Sequence, residues 1–106
     1  MRVLFDQGTP APLRQLLPQH EVITAYECGW STLSNGELLA AAESSGYDLL
    51  LTTDGNLKYQ QNLGTRRIAI IVLSTTSWPR IRVSAAMVVH VVNLAKPGSY
   101  AEVPIL

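Results

Sequence analysis

Two aspartates in this chain each follow a short apolar run. Asp6 comes directly after Arg2-Val3-Leu4-Phe5, and Asp54 follows residues 48–53 (DLLLTT) and leads into Gly55-Asn56. Between them, Ser34-Asn35-Gly36-Glu37 opens onto Leu38, and a hydroxyl cluster, Ser74-Thr75-Thr76-Ser77, follows the apolar run 68–73 (IAIIVL). Carboxylates gathered at one point repel each other, and a divalent cation removes that conflict. Carboxylate and amide oxygens are hard ligands, which suits Mg²⁺ or Mn²⁺ and not Zn²⁺. Asp6, Glu37, Asp54 and Asn35 are therefore the candidate metal ligands. Asp6, Glu37 and Asp54 are the candidate catalytic acids. His20 and His90 lack metal-ligand spacing with each other. Cys28 is the only cysteine, so the chain forms no internal disulfide.

Each of these residues has a plainer reading. An Asp after a strand often makes a turn, and Asp54-Gly55-Asn56 is a turn sequence. Ser34 with Glu37 matches the capping box, in which Glu returns a hydrogen bond to the start of its own helix. Ser74 to Ser77 can cap a helix or bind phosphate at its N-terminus. Tyr26 and Trp30 can stack on a base or cover the edge of a core.

The elements that must position these groups alternate along the chain. Residues 2–5 (RVLF) read as a buried strand. Thr9 and Pro10 offer a hydroxyl cap and a first-turn proline for a helix through Leu13, Leu16 and Leu17, which Pro18 stops. Residues 21–24 (EVIT) read as the second strand. The next helix runs from Leu38 to Glu43, with Gly46 just past its end. Strands follow at 48–53 and 68–73, with a short helix over Asn56 to Leu63 between them. Ser77 and Pro79 start a last helix that ends near Lys96-Pro97-Gly98. A final strand over 102–105 (EVPI) belongs at a sheet edge, because Pro104 has no N–H.

This order predicts one α/β domain spanning residues 1–106: a single doubly wound, mostly parallel sheet of about five strands with helices on both faces. Ligands of such sheets bind beyond the carboxyl ends of the strands. Asp6, Asp54 and the start of the helix at Ser34 share that edge. Arg66 and Arg67 precede a strand and fall at the opposite end.

Hydrophobic residues make up 47% of the 106 residues and charged residues only 15%, with a formal net charge of zero. That argues against a generally basic nucleic-acid binder, because phosphate affinity comes mainly from clustered Lys and Arg. Arg14, Lys58, Arg80 and Arg82 are the cations placed to meet RNA locally. The first residues lead straight into a strand, with no charged leader and long apolar run, which predicts a cytoplasmic protein. The longest apolar run is too short to cross a bilayer. The last helix is apolar on nearly every side, which predicts a homodimer or another protein partner.

Taken together, VLFD at 3–6 with its proline-containing helix start, HEV at 20–22, GW at 29–30, ELLAAA at 37–42 and LLTTDGNL at 50–57 resemble a compact PIN-like domain. The likeness is to the small bacterial group associated with toxin–antitoxin pairs, and it runs from about residue 2 to residue 75. It implies a metal-dependent ribonuclease with an acid after the first strand, acids on neighbouring helices, and an acid in a T-x-D-x-x-F-like motif. Asp6 matches the first and Asp54 the last. The intermediate position falls on Asn35, with Glu37 two residues later. An antitoxin is the implied protein partner.

Two other readings share the fold. A receiver-like phosphoacceptor domain would use Asp54, Ser74 or Thr75, and Lys96-Pro97. Asp6, however, has no adjacent acid, and Lys96-Pro97 precedes the last strand. A non-catalytic PIN-like module would bind a partner through its last helix.

Overall fold

The computed structural model describes residues 1–106. Its centre is one five-stranded sheet in the order β2-β1-β3-β4-β5. The strands are β1 (Arg2–Phe5), β2 (Glu21–Thr24), β3 (Leu49–Thr52), β4 (Ala69–Leu73) and β5 (Tyr100–Val103). All four strand pairs are parallel. The helices are α1 (Asn35–Ser44), α2 (Leu57–Gln60), α3 (Trp78–Val83) and α4 (Ala85–Leu94), and a 3₁₀ segment covers Ala11–Leu16. No helix is long and apolar enough to cross a membrane.

The apolar runs are continuous because the sheet is covered on both sides, as a parallel sheet requires. One face packs Phe5, Leu51 and Ile71 against Leu13 of the 3₁₀ segment, Ile81 of α3 and Val88 of α4. The other packs Leu4, Leu50 and Ile70 against Leu39 and Ala42 of α1 and Leu57 at the start of α2.

The connections through the 3₁₀ segment, α1 and α2 share one hand. The first steps outward from β1 on one face, and the other two step the opposite way on the other face. The link from β4 to β5 continues in that second direction, yet α3 and α4 lie on the first face. It therefore has the opposite hand, an exception to a strong rule. Burial accounts for the exception. The 3₁₀ segment is six residues long and cannot cover Leu49, Leu51, Ile71 and Leu73 alone. With α3 and α4 packed beside it, those side chains are almost wholly removed from water.

Four local expectations are corrected. Thr9 does not cap a helix: Pro10 holds the cap position without a side-chain bond, and the segment is 3₁₀. The Thr9 hydroxyl is drawn instead to Asp6 and the Leu51 carbonyl. The helix expected over 56–63 is the single turn α2, which Gln61 leaves in an extended conformation. The last helix is interrupted at Ser84 (φ −99°, ψ 17°), giving α3 and α4. The last strand lies two residues earlier than expected, so Pro104 falls just past it; β5 is an edge strand as predicted.

Ile71, on the inner strand β4, is only 1% exposed. Ile71→Ala is expected to cost ~2–5 kcal/mol of stability, measured by urea unfolding as a lower midpoint at unchanged slope.

Candidate functional site

The β1–β3 register fixes the centre of the site. Phe5 stands opposite Leu51, so the next residues, Asp6 and Thr52, emerge side by side at the carboxyl edge. Successive connections leave β1 and β3 in opposite directions and on opposite faces, so a crevice opens between these strands. Such a switch point is where open α/β sheets bind ligands.

Two buried hydroxyls brace Asp6. Thr52, 1% exposed, donates to Oδ2 and itself accepts the Asp54 backbone N–H at 3.1 Å. Thr9, 6% exposed, lies 2.7 Å from Oδ1 and 2.8 Å from the Leu51 carbonyl, so its one proton is shared between them. One hydroxyl thus links the Asp6 carboxylate to the backbone of Asp54.

Asp54 is held from two sides. Its Oδ1 accepts the Asn56 N–H at 2.9 Å, closing a turn on itself. Its Oδ2 accepts Asn35 Nδ2 at 2.8 Å, and the same Nδ2 donates to Gln60 Oε1 at 2.9 Å. Both amide protons of Asn35 are used, and the first residue of α1 is tied to the Asp54 turn and to the end of α2. The expectation that α1 begins at this edge is met by Asn35.

Glu37 behaves differently. Its Oε1 accepts the Ser34 N–H at 3.0 Å, and its own N–H reaches Ser34 Oγ at 3.4 Å, a complete capping box. The bond from the Ser34 backbone lowers the Glu37 pKa below the usual carboxylate range. The structure does not bring Glu37 to Asp6 and Asp54, and no group of three or more His, Cys, Asp or Glu side chains is placed to hold a metal ion. The capping reading of S-x-x-E describes this residue.

Asp6 and Asp54 are the two carboxylates left at this edge, fewer than the three-acid set the sequence predicted. Each oxygen of Asp6 and Asp54 accepts a protein donor but keeps a second lone pair. Mg²⁺ is commonly bound through one or two carboxylates with water completing its shell. Asn35 presents nitrogen to Asp54; a half-turn of its amide would present Oδ1 to an ion instead.

Three of the four cations expected to meet RNA have protein partners. Arg14 makes a two-pronged pair with Glu27 at 2.7 and 3.2 Å. That bond, helped by the Thr24 N–H, pulls the Glu27 pKa down to about 2. Lys58 pairs with Glu102 at 2.8 Å, and Arg80 donates to the Leu106 carbonyl at 3.0 Å. Arg82 is exposed and makes no such bond. Arg66 pairs with Glu43 at 2.9 Å, and Arg67 lines a cavity with Met1 and Asp48 at the amino end of the sheet, as expected.

Two clefts flank the crevice at the carboxyl edge. One, of about 650 Å³, is bordered by Asp6, Thr9, Arg14, Tyr26, Glu27 and Thr76. The other, of about 560 Å³, lies over the ends of β4 and β5. Gly8 meets Thr53 on the ridge between them: a Cβ at Gly8 would lie 2.5 Å from Thr53 Oγ1. Tyr26 is 76% exposed. Trp30 packs edge-on against Tyr47 with ring centroids 6.1 Å apart, so it covers the core. Cys28 Sγ sits 3.4 Å from the Tyr47 hydroxyl. His20 bonds Asn93 at 2.9 Å and the Met1 amino group at 3.2 Å.

Sequence reasoning missed Thr9 and Thr52 as braces for Asp6, and Gln60 as a partner of Asn35. Thr52 had a readable signal: a hydroxyl closing an all-leucine strand must find a partner once buried. Comparison with protein-family models, with curated proteins and with solved structures finds no match to the chain.

Replacing the Asn35 amide by a carboxylate turns a donor–acceptor contact into a like-charge contact. Asn35→Asp is expected to lower the melting temperature in chelator and to give a larger Mn²⁺-induced rise than the wild type. Thermal shift with and without Mn²⁺ measures both; an unchanged response to Mn²⁺ would show that Asn35 lies outside any cation's reach.

Proposed function

We propose that this protein is a metal-dependent ribonuclease of PIN-like type, hydrolysing phosphodiester bonds at the β1–β3 crevice. The observation that supports the reading is the position of Asp6 and Asp54 after adjacent strand ends at the switch point, where the Thr52 hydroxyl donates to the Asp6 carboxylate and accepts the Asp54 backbone N–H. The sequence resemblance supports it, since Asp6 and Asp54 are the two positions that match the PIN-like pattern. The toxin role in a toxin–antitoxin pair belongs to the same proposal.

Asp6 and Asp54 would hold Mg²⁺ or Mn²⁺, and the bound ion would supply an activated water and offset charge on the phosphate. Thr9 and Thr52 keep the Asp6 carboxylate in one orientation, and Asn35 and the Asn56 N–H do the same for Asp54. Such fixed acceptors need little reorganisation during reaction. Of the four cations expected to meet RNA, Arg82 is the one that could meet a phosphate without first breaking a protein contact.

A second reading, a non-catalytic protein-interaction module, is favoured by a different observation. Val83 at the end of α3, and Met87 and Leu94 seven residues apart along α4, are 85%, 46% and 62% exposed. An antitoxin or a second copy of the chain would cover them, and light scattering after gel filtration would then give a mass above the monomer's.

The nuclease reading predicts Mn²⁺-dependent cleavage of single-stranded RNA. Asp6→Asn and Asp54→Asn should each reduce the rate at least a hundredfold with the fold intact by circular dichroism. Metal-dependent cleavage that survives both substitutions would place the chemistry elsewhere, and its absence from the wild type would favour the interaction module.

A further inference from the structure

The cleft beside Asp6 carries an aromatic ring that neither the core nor the metal chemistry uses. Phe5 stands opposite Thr24 in the β1–β2 register, and the Ala25 N–H bonds the Phe5 carbonyl at 2.8 Å. Asp6 and Ala25 thus come next to each other as the two strands end. Tyr26 is the following residue, and it lines the 650 Å³ cleft together with Asp6.

The Tyr26 backbone is fixed by a closed turn. The Cys28 N–H bonds the Thr24 carbonyl at 3.1 Å, the Gly29 N–H bonds the Tyr26 carbonyl at 3.0 Å, and the Trp30 N–H bonds the Ala25 carbonyl at 2.8 Å. Gly29 completes this turn at a φ of 77°, which glycine adopts without strain. The ring that this backbone presents is nevertheless 76% exposed, whereas Trp30, four residues on, packs against Tyr47.

The charges of the cleft decide what it can hold. Arg14 and Glu27 neutralise each other in their two-pronged pair, which leaves the Asp6 carboxylate as the uncompensated charge. Without an ion, a phosphate would meet only that like charge. The face of a base meets no such repulsion, and stacking on an aromatic ring needs no cation. Phosphate affinity comes from free Lys and Arg, which this edge largely lacks, so its grip on nucleic acid must come from the bases.

We propose that Tyr26 stacks on an unpaired base of the substrate and so positions the neighbouring phosphate at Asp6 and Asp54. This role rests on the ribonuclease reading and names how that site takes its substrate: as a single strand, held by the face of a base. Inside a duplex both faces of a base are covered by its neighbours. Every base has such a face, so stacking on Tyr26 selects unpaired bases without selecting among them.

The test reads binding in chelator, so it does not depend on catalysis. A fluorescein-labelled short RNA of mixed sequence, single-stranded or annealed to its complement, is titrated with the full chain and followed by anisotropy. The single strand is expected to bind at least fivefold tighter than the duplex. Tyr26→Ala should weaken single-strand binding at least fivefold, with unchanged circular dichroism because the ring is exposed. Tyr26→Phe keeps the ring and should stay within twofold of the wild type. Tyr59 is 77% exposed but lies outside the cleft, so Tyr59→Ala should bind as the wild type does. Raising salt from about 50 to about 200 mM should weaken binding less than tenfold, since few phosphates are neutralised. Equal binding of duplex and single strand, unchanged binding in Tyr26→Ala, an equal loss in Tyr59→Ala, a steeper salt dependence, or no binding to the wild type at submillimolar protein would each overturn the stacking role. Tyr26-dependent binding with no cleavage on adding Mn²⁺ would instead count against the ribonuclease reading alone.

Discussion

The parallel register of β1 on β3 is the constraint from which the rest follows. Val3, Leu4 and Phe5 stand opposite Leu49, Leu50 and Leu51, and both strands are buried on their two faces. A one-residue slip would exchange the faces of every side chain in one strand. It would also separate Asp6 from Thr52. The same apolar packing that stabilises the sheet therefore sets a buried hydroxyl beside a carboxylate, and the Asp6 N–H bonds the Leu51 carbonyl at 3.2 Å to continue the ladder one step beyond the strand. From that point the Thr52 hydroxyl reaches the Asp54 backbone, Asp54 reaches Asn35, and Asn35 reaches Gln60.

On the proposed metal reading, this network would have two states with different chemistry. Left to itself, it ties four chain segments together through neutral donors on two carboxylates. With an ion, the same carboxylates would keep their hydroxyl and backbone donors and use their remaining lone pairs. Asn35 is the group whose role differs most between the two, because only its nitrogen can donate to Asp54 and only its oxygen can ligate a metal. Glu37 does not take part, because the helix start consumes its carboxylate. Partners also occupy Arg14, Lys58 and Arg80, so the carboxyl edge has little uncommitted positive charge, in keeping with a chain of zero net charge.

Much of the fold was legible because a sheet buried on both faces leaves continuous apolar runs. The strands at 2–5 and 21–24 coincide with β1 and β2, and those read at 48–53 and 68–73 contain β3 and β4. The α1 start was legible because S-x-x-E is a local signal with a local cause. Thr9 was misread as a cap because its actual partner is the Leu51 carbonyl, 42 residues away. The Lys58–Glu102 pair, 44 residues apart, was hidden for the same reason. The break at Ser84 carries no proline or glycine to mark it. At the site, the edge and the two aspartates were readable from strand ends. The choice between Asn35 and Glu37 was not, because it depends on which side chain the helix cap claims first.

Calorimetric titration of Mn²⁺ into the wild type, Asp54→Asn and Glu37→Gln tests the two-carboxylate centre most directly. Saturable binding to the wild type, lost in Asp54→Asn and retained in Glu37→Gln, is the predicted result. Binding that Glu37→Gln abolishes, or no binding to the wild type at millimolar Mn²⁺, would contradict it.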